Sequence, residues 1–335
     1  MIYSISDGSY WLKAISNPWY KLIFSLQSTI NEETQEFYKK RGISNFLMPV
    51  TTGSILSPMG LGSDSLPVKV KIAGKDTYLA DSMQFLLEYG CRFNDRGCYY
   101  IMPTFRGEDV DSRHLSQFFH SEAEIQGDLD DIINLATDYV KYLSEKIIGR
   151  YSKEISHFTG DLDHVINIID NDFVRITFDE AEDILRKNYP EQIDQCITNN
   201  SVFRNITSLG EKKLLEYFHN PVWVTNYDNF AVPFYQKLDN SKTGTAKNAD
   251  LLLGIGETIG CGERNHTVNT LRNQMRIHKV SEIDYNWYIE MRKHYPMQTA
   301  GFGMGVERFL LFILKHDDIR DVQIIRRFNE NGGSI

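Results

Sequence analysis

Three charged blocks carry the residue types that chemistry on a nucleotide needs. The first is TFRGED (Thr104–Asp109), followed by RHLSQFFHSEAE (Arg113–Glu124). Period-2 alternation puts Arg106 and Glu108 on one face of a strand. An arginine is a natural bidentate partner for a phosphate. A carboxylate beside it can accept the amino proton of an adenine, and Phe118 adds a ring for stacking. The bland alternative for Arg106 and Glu108 is a surface ion pair worth ~0–1 kcal/mol.

The second block is ADLLLGIGETIGCGER (Ala249–Arg264). Asp250 and Glu257 flank a run too apolar for a loop. Two carboxylates beside a buried strand suit Mg²⁺, which takes one or two of them plus substrate phosphates. Arg264 follows Gly260-Cys261-Gly262, a segment that lets the backbone bend or approach a ligand. An acidic strand end with a glycine bulge is the other reading. The third block is GFGMGVER (Gly301–Arg308). Its glycines permit close approach to a ligand, and Arg308 falls in a first helical turn, where the helix dipole disfavours a cation. A glycine-rich turn with a solvated arginine is the alternative.

Other signatures fail. There is no GxxxxGK[ST], HExxH or GxSxG, and the glycines at 301, 303 and 305 are spaced GxGxG, not GxGxxG. His114 and His120 share a strand face by period 2, but no third ligand is placed near them, which argues against a metal. Cys261 reads as a small packing residue.

These blocks need elements to hold them. Apolar Leu22, Ile23, Leu26, Ile30 and Phe37 predict a helix over residues 20–41. RGISNFLMPVTT reads as a turn and a strand ending at Pro49, and residues 68–80 as a hairpin turning at Ala73-Gly74-Lys75. A short helix at 82–90, a strand at 98–106, a polar loop at 107–113 and a strand at 114–126 follow. The spacing then predicts a helix over 129–149, and Thr177-Phe178-Asp179-Glu180 a capping box opening a helix through Lys187. Residues 190–210 read as irregular, and 221–226, 232–237 and 249–260 as strands. Helices are expected at 281–294, capped at Ser281, and at roughly 305–315. The mixture implies an α+β fold, one domain over 1–335, with no linker to split it.

The 335 residues carry 36 Lys+Arg against 45 Asp+Glu, a net charge of −9. Nucleic-acid grips usually show a basic excess, so any such contact must be local. No apolar run is long enough for a membrane helix, and the N-terminus lacks a signal-peptide pattern. Four cysteines without a CxxC pair fit a reducing cytoplasm.

In this order and at these distances the three blocks resemble motifs 2 and 3 of a class II aminoacyl-tRNA synthetase of the aspartyl/asparaginyl subgroup. NFLMPVTT resembles the weaker motif 1, and DSMQFLLEYG (Asp81–Gly90) the asparaginyl pattern SGQLYLEA. PVWVTNYDNFAVPFYQK and the run Trp287–Val322 resemble the family's later catalytic segments. Motif 1 falls at about 40–52, motif 2 at about 100–126 and motif 3 at about 299–315, within a likeness covering about 20–330.

The resemblance implies a catalytic domain with an antiparallel sheet flanked by helices, and ATP and Mg²⁺ as cofactors. It implies Arg106 on the α-phosphate, Glu108 on the adenine amino group, and Phe118 and Arg308 sandwiching the ring, with Arg106 and Arg308 catalytic. Arg113 and His114 join the ATP-binding set, and Asp250 and Glu257 hold Mg²⁺. Gln84, Glu122, Arg264 and Gly301 would line the amino-acid pocket, Glu122 near the α-amino group and Arg264 at the substrate's side-chain end. Leu87 stands where aspartyl enzymes carry a lysine.

Departures are equally specific. Motif 1 begins near residue 40, so the subgroup's N-terminal OB-fold is expected to be absent. Met59 replaces a glutamate, Gln298-Thr299 a Pro-His pair, Gln117 a glutamate, and Ile325-Arg326-Arg327 a Phe-Pro-Arg end. The ATP half therefore matches the family pattern and the acyl-acceptor half is altered. The main expectation is an AMP-forming ligase that adenylates aspartate or an asparagine-like acid. It would pass the acyl group to ammonia or a small amine, with tRNA an unlikely partner, as in asparagine synthetases related to asparaginyl-tRNA synthetase. The alternative is a truncated synthetase, or a paralogue, that aminoacylates tRNA or a protein side chain. A non-catalytic paralogue would be expected to lose Arg106 and Arg308, and both are present. Motif 1 further implies a homodimer.

Overall fold

The structure is a computed structural model and describes residues 10–56 and 66–326. Met59 and Arg327 lie outside the described residues. The strands are β1 (Ser44–Asn45), β2 (Thr51–Thr52), β3 (Val68–Ile72), β4 (Lys75–Leu79), β5 (Cys98–Phe105), β6 (Gln117–Gln126), β7 (Val174–Thr177), β8 (Ile197–Asn199), β9 (Arg204–Ile206), β10 (Val222–Thr225), β11 (Asn248–Leu253), β12 (Gly256–Glu263) and β13 (Thr299–Gly305). The helices are α1 (Tyr10–Ser16), α2 (Pro18–Lys40), α3 (Gln84–Gly90), α4 (Leu129–Thr159), α5 (Asp163–Asp170), α6 (Phe178–Asn188), α7 (Ile193–Cys196), α8 (Ser208–Phe218), α9 (Val268–Ile277), α10 (Asn286–His294) and α11 (Val306–Ile313).

One eight-stranded sheet, in the order β1-β5-β6-β13-β12-β11-β10-β7, organises the molecule. Its centre is antiparallel, and only the outer pairs β1–β5 and β7–β10 run parallel. The expected α+β sheet-and-helix fold is therefore present. Residues paired across antiparallel strands share a face. Ala123, Ile259, Cys261, Ala300, Phe302 and Met304 point to one face and pack against α2, α4 and α11 in the main core. Cys261 is thus a core residue, as its sequence context suggested, and all four cysteines are buried and free.

Local chemistry explains the supporting helices. Asn17 caps α2 by accepting from the Trp19 N–H at 2.8 Å, and Pro18 fills the first turn, where a missing N–H costs nothing. Asp128 and Asp131 cap each other's backbone to open α4. The Thr177–Glu180 capping box forms as expected and starts α6. Tyr139 of α4 ties the layers together through hydroxyl contacts to Thr34 (2.6 Å) and Ser121 (2.8 Å). The β3–β4 hairpin turns through Ala73 and Gly74 at φ 49° and 79°, the mirror-image turn that matches strand twist.

Several expectations need correction. α4 continues to Thr159, with non-helical backbone at Tyr151. Residues 190–210 are not irregular: they form a short 3₁₀ turn, α7, the β8–β9 hairpin and the start of α8. Segment 232–237 is no strand, because Pro233 leaves only a single bridge, Gln236 to Arg264. Segment 249–260 is a hairpin, not one strand. The glycine-rich GFGMG segment is not a turn but β13, a central strand. Ser281 does not cap α10, which starts at Asn286 after a 3₁₀ turn. Among the described residues no helix is long and apolar enough to cross a membrane.

Candidate active site

The face of the sheet opposite α2 and α4 carries the polar residues. On β6 the alternate positions Phe118, His120, Glu122 and Glu124 point there, opposite Thr104, Met102, Tyr100 and Cys98 of β5. On the other side, β13 sets Gly305, Gly303 and Gly301 against His120, Glu122 and Glu124. β12 continues the floor with Gly260 and Gly262, and β11 brings Asn248 and Asp250. The result is a cleft with acidic and aromatic side chains along one wall and bare backbone along its floor. The bare backbone is needed: a Cβ on Gly301 would stand 1.7 Å from a Glu124 carboxylate oxygen, and one on Gly262 would stand 1.9 Å from the Gln236 carbonyl oxygen.

One end of the cleft is a cavity of about 420 Å³. It gathers Arg106, Glu108, Arg113, His114, Phe118, Glu257 and Arg308, which is the whole ATP-binding set expected from sequence. Arg106 and Glu108 do not share a strand face, however, because β5 ends at Phe105 and both lie in the connecting loop. Nor do they pair with each other. The Arg106 guanidinium lies 5.6 Å from the Phe118 ring centre, and its Nε is buried without a partner. One Glu108 oxygen accepts from the Leu66 N–H at 3.1 Å and the other is buried and unpartnered. His114 sits in the same loop, outside β6, bonded to Asp111 at 3.0 Å, so it shares no strand face with His120.

Arg308 occupies the first turn of α11 and donates to the Glu257 carbonyl at 2.5 Å. Burial, with Arg113 and Arg106 nearby, pulls this guanidinium below its usual range, though Glu257 and Glu211 oppose the shift. Arg113 is paired with Glu211 at 2.8 Å and Arg308 lies 3.8 Å from Glu257, whereas Arg106 has no ion pair among the described residues and is the cation left to meet a phosphate. Buried polar atoms without partners at Arg106, Glu108 and Arg113 point the same way, since folded proteins rarely leave such groups unsatisfied.

Asp250 and Glu257 converge over Gly260. A Cβ placed there would lie 3.1 Å from a Glu257 oxygen and 3.6 Å from an Asp250 oxygen. Burial and the neighbouring Glu257 charge push the Asp250 carboxyl well above its usual range. That stress is what a cation would remove, and the all-oxygen donors suit Mg²⁺. Among the described residues no cluster of three His, Cys, Asp or Glu side chains forms a complete metal cage. Bound Mg²⁺ would therefore draw its remaining ligands from phosphate and water, and would supply charge neutralisation at the phosphates.

The other end of the cleft holds the residues expected at the amino-acid pocket. Burial raises the Glu122 carboxyl, but contacts from His120, Tyr100 and Ser82 outweigh it and hold the group below its usual range. Ser82 Oγ donates to Glu122 at 2.7 Å, Tyr100 OH donates to the same oxygen, and His120 Nδ1 lies 3.1 Å from the other. Gln84 opens α3 with its side-chain nitrogen buried and unpartnered. Leu87 is buried in the small core beneath it.

Arg264, placed just beyond β12, is 1% exposed and does not wait free for a substrate. Its Nε and Nη2 donate to Glu124 at 3.1 and 3.0 Å, and Nη1 to Gln236 at 3.3 Å. Burial pushes the Glu124 carboxyl up to about 7 against the pull of Arg264. Glu124, Gln236, Tyr100 and Ser82 were missed in the sequence. Glu124 had a signal, since it continues the alternation Phe118, His120, Glu122; Ser82, Tyr100 and Gln236 lie inside segments that carry the family resemblance, but nothing in their own spacing singled them out.

The class II tRNA synthetase family (D, K and N) matches residues 8–327. Asparagine--tRNA ligase of Bacillus cereus (strain ZK / E33L) is 32% identical over 89% of this chain and 68% of the relative; that of Desulfitobacterium hafniense (strain Y51) is 29% identical over 92% and 71%. The structure superposes on asparaginyl-tRNA synthetase from Pyrococcus horikoshii, complexed with asparaginyl-adenylate, with a TM-score of 0.86 and 28% identity, covering 96% of this chain and 72% of that one. Together with the arginine-lined cavity and the paired carboxylates, these likenesses place the chain in the class II tRNA synthetase family of the D, K and N type, as an ATP- and Mg²⁺-dependent ligase that forms an aminoacyl-adenylate.

Proposed function

We propose that this protein activates asparagine as asparaginyl-adenylate and transfers it to the 3′ end of a tRNA. The Glu124–Arg264 pair carries the substrate reading. Side by side it offers an acceptor and a donor, the complement of a carboxamide. An aspartate side chain would bring a second negative charge against Glu124 in a dry site, which is costly. At the other end, Arg106 and the cavity cations hold the α-phosphate while the substrate carboxylate attacks it and pyrophosphate leaves. Positioning supplies most of the acceleration, because no protein nucleophile is required. Glu122 holds the substrate ammonium, with Ser82 and Tyr100 fixing the carboxylate from behind.

The relatives' names favour tRNA as the acceptor and lend no support to ammonia, nor to the expectation that tRNA is an unlikely partner. The net charge of −9 is a whole-surface sum and leaves room for a local contact. The decisive assay offers asparagine and aspartate separately, with and without tRNA and with and without ammonium. Pyrophosphate exchange with asparagine in the absence of RNA, and acyl transfer only when tRNA is added, is the expected result. Asparagine made from aspartate and ammonium without RNA would replace this reading with the synthetase one.

A cytoplasmic homodimer is part of the proposal. Segment 40–52 forms the sheet's outer edge at β1, with Leu47 88% and Val50 45% exposed beside it. Burying such apolar surface against a two-fold copy is the expected use. Light scattering should give twice the chain mass, and Leu47→Glu should halve it; a monomeric wild type would remove the dimer.

A further inference from the structure

Beyond its contact with Glu122, His120 has no role above, yet it occupies the middle of the cleft. Along one face of β6 it stands between Phe118, at the nucleotide end, and Glu122, at the amino-acid end. Alternate residues on a strand are about 7 Å apart, so the ring stands where the two halves of an adenylate must join. It lines the nucleotide cavity, and its cross-strand neighbour on β13 is Gly305, which leaves the space beside it open. Its Nδ1 lies 3.1 Å from Glu122 Oε1, close but not yet aligned as a closed hydrogen bond. The Phe118 ring packs edge-on at 4.8 Å and fixes the other side. Nε2 has no partner among the described residues.

A carboxylate at Nδ1 selects the tautomer with its proton there and leaves a lone pair on Nε2. An imidazole oriented by a carboxylate and facing a reacting centre is the arrangement of a general base. We propose that His120 is the proton acceptor of the acyl-transfer step, oriented by Glu122. The inference rests on the adenylate-and-transfer reading. The acceptor hydroxyl loses its proton to His120 Nε2 as its oxygen bonds to the acyl carbon. The bond from that carbon to the AMP oxygen breaks, and AMP leaves as the phosphate monoester.

The test separates the two half-reactions. Wild type, His120→Asn and His120→Ala are loaded with asparaginyl-adenylate and mixed with tRNA in a rapid-quench, single-turnover experiment. Both variants should transfer about 10²–10⁴-fold more slowly, while pyrophosphate exchange falls less than tenfold. Added imidazole should restore part of the His120→Ala rate, which repair of a purely structural defect would not do. Transfer within threefold of wild type, or exchange and transfer falling together without imidazole rescue, overturns the assignment. Wild type that exchanges pyrophosphate but charges no tRNA instead fails the acceptor reading. The same variants are then compared with ammonium as acceptor, where equal rates overturn His120. Wild type without exchange removes both proposals.

Discussion

Arg106→Ala is expected to lower asparagine-dependent pyrophosphate exchange by about 10³-fold, the upper range for losing one preorganised donor at a site of developing charge. The residue has few structural duties that would confuse the result. It lies in the loop between β5 and β6, forms no ion pair with Glu108, and keeps a buried Nε without a partner. Among the described residues its one ring contact is the 5.6 Å approach to Phe118. Thermal stability should therefore change by no more than ~1 kcal/mol, as for most substitutions away from a packed core. Exchange retained within tenfold of wild type would remove Arg106 from the phosphate site.

Arg264→Ala should behave differently. From sequence, its effect falls on the KM for the amino acid. The structure adds a second and larger effect, because the guanidinium is the buried partner of an equally buried Glu124. Removing one member of such a pair leaves an uncompensated charge and costs about 3–5 kcal/mol. Denaturant melts should show that loss. The Arg264→Ala/Glu124→Ala double variant should recover much of the stability while remaining unable to discriminate asparagine from aspartate. Unchanged stability in the single variant would contradict the buried pair. An asparagine KM within threefold of wild type would contradict its place at the substrate.

What the sequence conveyed and what it concealed follow from the side chains. Thr177–Glu180, Ala73-Gly74 and the apolar stripe of α2 announce themselves locally, and each forms where expected. The residues expected at the nucleotide could be singled out because their types and order are distinctive, and one cavity gathers them. β13 was not, because glycine at alternate positions erases the pattern that marks a strand, and the same emptiness makes room for Glu124. The segment from 190 to 210 was opaque because its elements are three or four residues long, and their pairing is stabilised by contacts with α6 and α8 rather than by local preference. Arg264 was expected at the substrate but not as half of a pair, since its partner lies on a strand far away in the chain.

That distance has a consequence for how the protein comes into being. β13 is hydrogen-bonded on one side to β6, which ends at Gln126, and on the other to β12, which ends at Glu263; it begins only at Thr299. During synthesis the ribosome delivers the acidic wall of the cleft well before the floor that separates it from β12. Until then β6 and β12 present open edges to solvent, the condition under which nascent sheets pair wrongly. Catalytic competence therefore arrives in one late step, when a strand whose cleft face is glycine at 301, 303 and 305 slots between two that have been waiting for it.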